Sequence, residues 1–234
     1  MPRLFVPRST LPFIFGNDAH YLRDVLRLKK GDKLELLDGS GQVHQAEIVT
    51  LLKERVEVKV IRSYYSENEP AVKITLAQAL PKGQKMDFVV EKSVELGVNR
   101  IIPVLTERSI GKTAKLERWQ KLAKEAAEQC GRAIIPEVTE LTDFASVVKL
   151  KDQVDLALLP WELEKEKSLK SILSIQQSNH RSIICLVGPE GGFSQAEETA
   201  AVKAGWQTVS LGKRILRTET AGLAILANIL YELE

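Results

Sequence analysis

The residues best suited to chemistry lie in two glycine-bearing stretches near the carboxyl end, SIICLVGPEGG over Ser182–Gly192 and TVSLGKRILRTETA over Thr208–Ala221. Each follows a short run of β-type residues that stops at a glycine. Each loop should therefore leave the carboxyl end of a sheet strand, where open α/β sheets bind ligands. Gly188, Gly191 and Gly192 carry no Cβ, so a ligand can lie against bare backbone amides there. The second loop adds Arg214, Arg217 and Glu219 among Ile215, Leu216 and two threonines, more chemistry than a connector needs. A guanidinium in such a loop can stabilise charge developing on a substrate oxygen, and a carboxylate can take a proton. Ordinary nucleotide fingerprints are absent: GPEGG is not G-x-G-x-x-G, Thr208 stands about twenty residues on where an acid is required, and no G-x-x-x-x-G-K-[ST] occurs. This disfavours a plain NAD or ATP site.

The elements that must position these loops alternate from Val72 onward, strand pattern then helix pattern, as a parallel sheet with crossover helices requires. KITLAQAL, RIIPVL and DLALLP read as strands. Gln84 to Leu96 and Ala114 to Cys130 read as helices stopped by Gly97 and Gly131, and a last helix runs from about Thr220 to Leu233. Ser194 and Glu197 form an S-x-x-E capping box for the helix after GPEGG, with Gly205 as its stop. Asp87, Glu91 and Glu95 stand one turn apart and read as a solvated helix face. His20, His44 and His180 have no zinc-like spacing, so no metal is expected. Arg108, in the TERS loop after RIIPVL, is a candidate RNA or cofactor contact, and Arg132, just past Gly131, a candidate RNA contact.

Residues 1 to about 70 have a different character. Ala19 to Leu28 is helical in pattern, with Leu22, Val25 and Leu26 on one face and His20, Arg23 and Arg27 on another. Two readings stand for the basic face: a solvated surface, or a clamp on neighbouring RNA phosphates. KLELLD, QVHQAEIVTLL and RVEVKVIRSYY alternate at period two around an Asp38-Gly39-Ser40-Gly41 turn, which predicts a half-buried antiparallel sheet or small barrel. Ser66 to Pro70 is the best linker candidate.

Composition bounds the answer. A chain of 234 residues, 44% apolar and 27% charged, can bury roughly 70% of its unfolded surface without disulfides or metal. It contains no run of eighteen apolar residues and no charged-then-apolar leader, which predicts a soluble, unexported, cytoplasmic protein with no membrane partner. Cys130 and Cys185 suit reduced thiols. The net charge of +2 is too small to announce a nucleic-acid binder by itself, so RNA affinity must come from local patches.

LVGPEGGFS followed by LGKRILRTETA resembles the two cofactor-binding motifs of the SPOUT methyltransferases, and in this wording is similar to the RsmE family of 16S ribosomal RNA (uracil-N3)-methyltransferases. The likeness extends upstream through HYLRDVLRLKKGD, QALPKGQKMDFVVEKSVELGV, TERS, EAAEQCGR and LLPWE. The resemblance implies a SPOUT-type parallel sheet with a carboxyl-terminal trefoil knot over residues 71–234, preceded by a PUA-like β-barrel RNA-binding domain over residues 1–70. It also implies S-adenosyl-L-methionine as cofactor and methylation of N3 of one uridine in 16S ribosomal RNA, within the small ribosomal subunit. Carried onto this sequence, the cofactor contacts, mostly through backbone to adenine and ribose, are Leu186, Gly188, Glu190, Gly191 and Gly192 from the first loop, and Leu211, Gly212, Ile215, Leu216 and Thr220 from the second. Leu159 and Pro160 form a third wall. For the methyl transfer itself, Arg217 is the cation for charge on the base oxygens, Glu219 the candidate proton acceptor and Glu190 the second. An acid such as Glu219 in a first helical turn also has a purely structural use, against the helix dipole. The last helix is apolar almost all round, which, with the resemblance, predicts a homodimer. Competing readings are a SPOUT enzyme acting on another RNA position and a non-catalytic RNA-binding protein.

Overall fold

A computed structural model of the protein describes residues 1–111, 113–175 and 181–233. They form two compact units, Met1–Glu69 with Ala127–Ile135, and Pro70–Ala126 with Pro136–Glu234.

In the first unit the strands β1 (Arg3–Phe5), β2 (Phe13–Phe15), β3 (Lys33–Leu37), β4 (Gln42–Leu51) and β5 (Arg55–Tyr65) join in the order β1-β3-β4-β5-β2. All pairs are antiparallel except β1 with β3. Leu4 of β1 and Ile14 of β2, at the two ends of this path, share one core with Leu34, Leu36, Ala46, Ile48, Val56 and Val58, so the sheet curls around it. The period-two pattern explains why: alternate residues of each strand point to the same face.

The basic helix starts and ends about three residues earlier than its periodicity suggests. It begins earlier, as α1 (Gly16–His20), continues as a π-helical turn over Tyr21–Val25, and stops there. Phe15 precedes it, with no side-chain cap from Asn17 or Asp18. Arg27 lies beyond the helix in left-handed backbone, φ 55°, so His20, Arg23 and Arg27 do not share a helix face. His20 pairs with Asp24, and Arg23 binds Asp24 and the carbonyls of Leu52 and Lys53. The expected linker is likewise tied down: Asn68 donates to the Gly131 carbonyl, and Glu69 accepts from the backbone of Ala133 and Ile134.

The second unit contains β6 (Lys73–Ala79), α2 (Lys85–Glu95), β7 (Arg100–Leu105), most of α3 (Leu116–Cys130), β8 (Glu137–Val138), β9 (Thr142–Asp143), α4 (Phe144–Val148), β10 (Leu156–Pro160), α5 (Leu169–Ile175), β11 (Ser182–Val187), α6 (Gln195–Lys203), β12 (Gln207–Val209) and α7 (Thr218–Leu233). Its sheet is parallel throughout, in the order β12-β10-β11-β6-β7-β8, with β9 also on β7. Strands such as β11, buried from Ile183 to Val187, read as continuous apolar runs because both faces are covered. The capping box forms as expected, with Ser194 Oγ accepting from the Glu197 amide at 3.3 Å and Glu197 Oε2 from the Ser194 amide at 2.9 Å.

Two features of this topology place the site. The chain leaves β6 toward β7 and β8, then crosses to the other side, where β11 inserts between β10 and β6; such a reversal opens a crevice at the carboxyl ends of the strands. After edge strand β12, α7 returns to the middle of the sheet and packs on α2, β6 and β11. Gly222 permits that approach, because a Cβ there would stand 2.7 Å from Gln78 Oε1 on β6. Cys130 and Cys185 are not joined in a disulfide, and complete burial pushes the Cys185 thiol well above its ordinary value.

Candidate active site

At the carboxyl ends of β10, β11 and β12 lies a cavity of about 510 Å³, within the range of small-molecule and cofactor sites. Both glycine stretches line it: Val187 to Phe193 on one side, Ser210 to Thr218 on the other, with Pro160, Trp161 and Glu162 from the end of β10, Lys85 from α2 and Ala221 from α7. Apolar surface comes from Pro160, Trp161, Leu211, Ile215 and Leu216, which suits a flat base. Lys85, Lys213, Arg214 and Arg217 face Glu162 and Glu190 around the same space.

The first loop is held by contacts on every side. Thr218 Oγ1 donates to the Gly188 carbonyl at 2.5 Å and itself accepts from Gln78 Nε2 at 2.8 Å, so a buried glutamine of the central strand fixes both loops at once. Arg108 donates to the Gly191 carbonyl at 2.9 Å. Gly192 sits at φ 67°, a left-handed conformation, and a Cβ there would run into the Glu162 carboxylate. Glu190 Oε1 accepts from the Lys82 amide at 3.0 Å and from Lys85 Nζ at 3.2 Å. Burial works to raise the Glu190 pKa, but these donors outweigh it and hold the carboxyl below its ordinary range. The same pairing, to Glu190 first and then Glu219, raises the Lys85 ammonium.

Most residues singled out from the sequence meet here: Pro160, Gly188, Glu190, Gly191, Gly192, Leu211, Gly212, Ile215, Leu216 and Arg217 all line the cavity. Leu159 and Leu186 do not. Their side chains are wholly buried in the core beneath it, because strand residues point to the faces of the sheet and not off its end. Thr220 is exposed on the first turn of α7 and is not part of the wall. Glu219 stands just behind the wall, its side chain 14% exposed, with Oε2 3.2 Å from Lys85 Nζ. Arg132 is not available to RNA: its side chain is 3% exposed and pairs with Glu69 Oε2 at 2.7 Å. Arg108 remains exposed against the first loop.

Sequence reading missed Lys85, Gln78, Glu162 and Phe193. Lys85 had a faint signal, as a lysine opening a helix opposes the helix dipole. Gln78 had one as well, the polar residue inside the buried run KITLAQAL. Among the described residues no cluster of His, Cys, Asp or Glu could hold a metal ion. Asp87 accepts from Arg118 and from Trp119 Nε1, while Glu91 and Glu95 pair with Lys92.

Comparison with known proteins agrees with this geometry. A family described as RNA methyltransferase domain matches residues 67–230, and one described as RNA methyltransferase PUA domain matches residues 16–61. The fold and the site thus define an RNA methyltransferase carrying a PUA domain. The ribosomal RNA small subunit methyltransferase E of Bacillus subtilis is 33% identical over 94% of this chain and 90% of its own. The crystal structure of the enzyme of that name from Neisseria gonorrhoeae, bound to S-adenosyl methionine, superposes with a TM-score of 0.87 at 36% identity over 98% of this chain and 96% of that one. A Legionella pneumophila methyltransferase in complex with SAM gives the same TM-score at 31% identity, over 98% and 96% of the two chains. The chain belongs to the ribosomal RNA small subunit methyltransferase E family.

Proposed function

We propose that this protein uses S-adenosyl-L-methionine to methylate N3 of one uridine in 16S ribosomal RNA, within the small ribosomal subunit in the cytoplasm. The observation that carries this reading is the single cavity built from both glycine loops and the end of β10. The residues present fit the cofactor. Bare backbone at Gly188, Gly191 and Gly192 allows close approach, Leu211, Ile215 and Leu216 offer apolar surface to an adenine, and charges of both signs suit an amino-acid moiety. When bound, the cofactor supplies an activated methyl group on a sulfonium.

The chain's own residues must then hold the uracil, remove its N3 proton and stabilise the charge that spreads to the flanking carbonyl oxygens. Arg217 is assigned to that charge: it lines the cavity and among the described residues makes no ion pair, so its guanidinium is free for substrate. Glu219 is assigned as proton acceptor. Glu190 is the weaker choice, because its carboxyl is held below the ordinary range and an acid so stabilised is a poorer base.

The remaining assignments belong to the same reading. Residues 1–70 act as the RNA-binding domain and 71–234 as the methyltransferase domain, with Arg23, Arg27 and Arg108 as phosphate contacts. The return of α7 from edge strand β12 to the middle of the sheet is the path a trefoil knot would follow. Tyr231 of α7 is 86% exposed, and Leu223, Ala224 and Leu230 are only partly covered, which favours a homodimer through this helix. The decisive experiment is mass mapping of small-subunit RNA from a strain lacking the protein, with and without complementation. Loss and return of one methyl group on a uridine base supports the assignment, and a methyl on ribose or on a purine overturns it.

A further inference from the structure

Lys85 opens α2, where a cation works against the helix dipole, yet its ammonium is firmly held. Nζ lies 3.2 Å from Glu190 Oε1 and 3.2 Å from Glu219 Oε2. Glu190 belongs to the first glycine loop and Glu219 to the first turn of α7, so one cation joins the two segments that make the cavity. The two carboxylate oxygens therefore lie within twice that distance of each other. Glu219 Oε2 is closed off from solvent, and the ammonium of Lys85 at ion-pair distance is the group that faces it. A buried carboxylate oxygen in this state depends on the neighbouring charge. The other charges of α2 are engaged elsewhere, Asp87 with Arg118 and both Glu91 and Glu95 with Lys92. On the cavity side the remaining charged groups are Glu162, Lys213, Arg214 and Arg217.

We propose that Lys85 is a positioning residue for the methyl-transfer step: its ammonium bridges Glu190 and Glu219, keeping both charged and holding Glu219 as proton acceptor. This rests on the assignment of Glu219 made above. Without the cation, the two carboxylates face each other with nothing to offset their repulsion, and like charges in one site favour the neutral form of one of them. The acceptor is then blocked until the pH rises.

The test is single-turnover methylation across mildly acid to alkaline pH, with thermal unfolding as the control for folding. Lys85→Met should move the acid limb of the rate profile upward by about one pH unit or more and recover at alkaline pH. Lys85→Arg, and separately Lys85→Met with Glu190→Gln, should bring the limb back. A deficit in Lys85→Met that is constant with pH, or no return in the two companion variants, overturns the proposal. Glu219→Gln separates this outcome from failure of the acceptor assignment itself. An unchanged acid limb in that variant removes Glu219 as acceptor. Carbon-13 NMR of labelled glutamate side chains then decides the remaining claim: the pair in Lys85→Met should take up its first proton at a higher pH than in the wild type, and its failure to do so overturns the bridge.

Discussion

The two glycine loops leave the same end of one parallel sheet and line the same cavity, yet they are built in opposite ways. Between Gly188 and Gly192 the polar groups are anchored, to Thr218, to Lys82 and Lys85, and to Arg108. Between Leu211 and Arg217 little is anchored: Ser210 Oγ reaches Gly212, and among the described residues Lys213, Arg214 and Arg217 form no ion pair. Ile215 is 86% exposed. The first loop is a wall completed in the folding of the protein. Among the described residues the second presents cations without an ion pair and an open apolar side chain, an arrangement that suits an anionic, flat ligand. Under the proposed function, preorganisation belongs to one loop and recognition of charge to the other.

The sharpest way to break this contrast is Arg217→Ala. If the second loop serves the transition state, single-turnover methylation should fall roughly a hundredfold or more with little change in cofactor affinity. Recovery at saturating S-adenosylmethionine would make Arg217 a cofactor holder instead. Next in size is Gly192→Ala in the first loop. A Cβ in left-handed backbone should cost about 1–2 kcal/mol of stability, read by thermal unfolding, and weaken cofactor binding about tenfold for each 1.4 kcal/mol that reaches the site. Unchanged binding would mean the wall is not preformed. Lys213→Ala with Arg214→Ala should leave unfolding within about 0.5 kcal/mol and flatten the salt dependence of RNA binding by about one to two ion equivalents. Arg23→Ala with Arg27→Ala, measured in the same way, asks whether the basic segment of the first unit shares that task.

The smallest effect is acid dependence, and only the first loop should show it. The Glu190 pKa is lowered in the folded protein, so its contribution is complete above the ordinary carboxylate value of about 4.3 and is lost as the pH falls through the lowered folded value. Acid unfolding curves of Glu190→Gln should show less of that loss than the wild type. Leu211 to Arg217 contains no Asp or Glu, so the second loop has no counterpart.

Much of this was legible in the chain because it is local. The Ser194–Glu197 box, the stops at Gly97, Gly131 and Gly205, and the strands under both loops follow from contacts a few residues apart. Helical spacing misled at Arg27, where the segment leaves the helix for left-handed backbone. A motif can also mark a strand whose side chains stay out of the cavity, leaving only its backbone to meet a ligand. Leu159 and Leu186 belong to the stretches that end at the cavity, but the pleat turns them into the core.

By itself, then, the sequence determined the run of strands and helices, the two glycine loops at strand ends and, through the family resemblance, nine residues of those loops and Pro160 that line the cavity. Only the tertiary structure decided that β11 lies between β10 and β6, that α7 returns across the sheet over Gly222, and that Lys85, Glu190 and Glu219 meet. The reason is distance along the chain. Periodicity and turn chemistry act over a few residues, whereas Lys85 lies more than a hundred residues from each of its partners, and nothing local in the chain encodes an ion pair of that span.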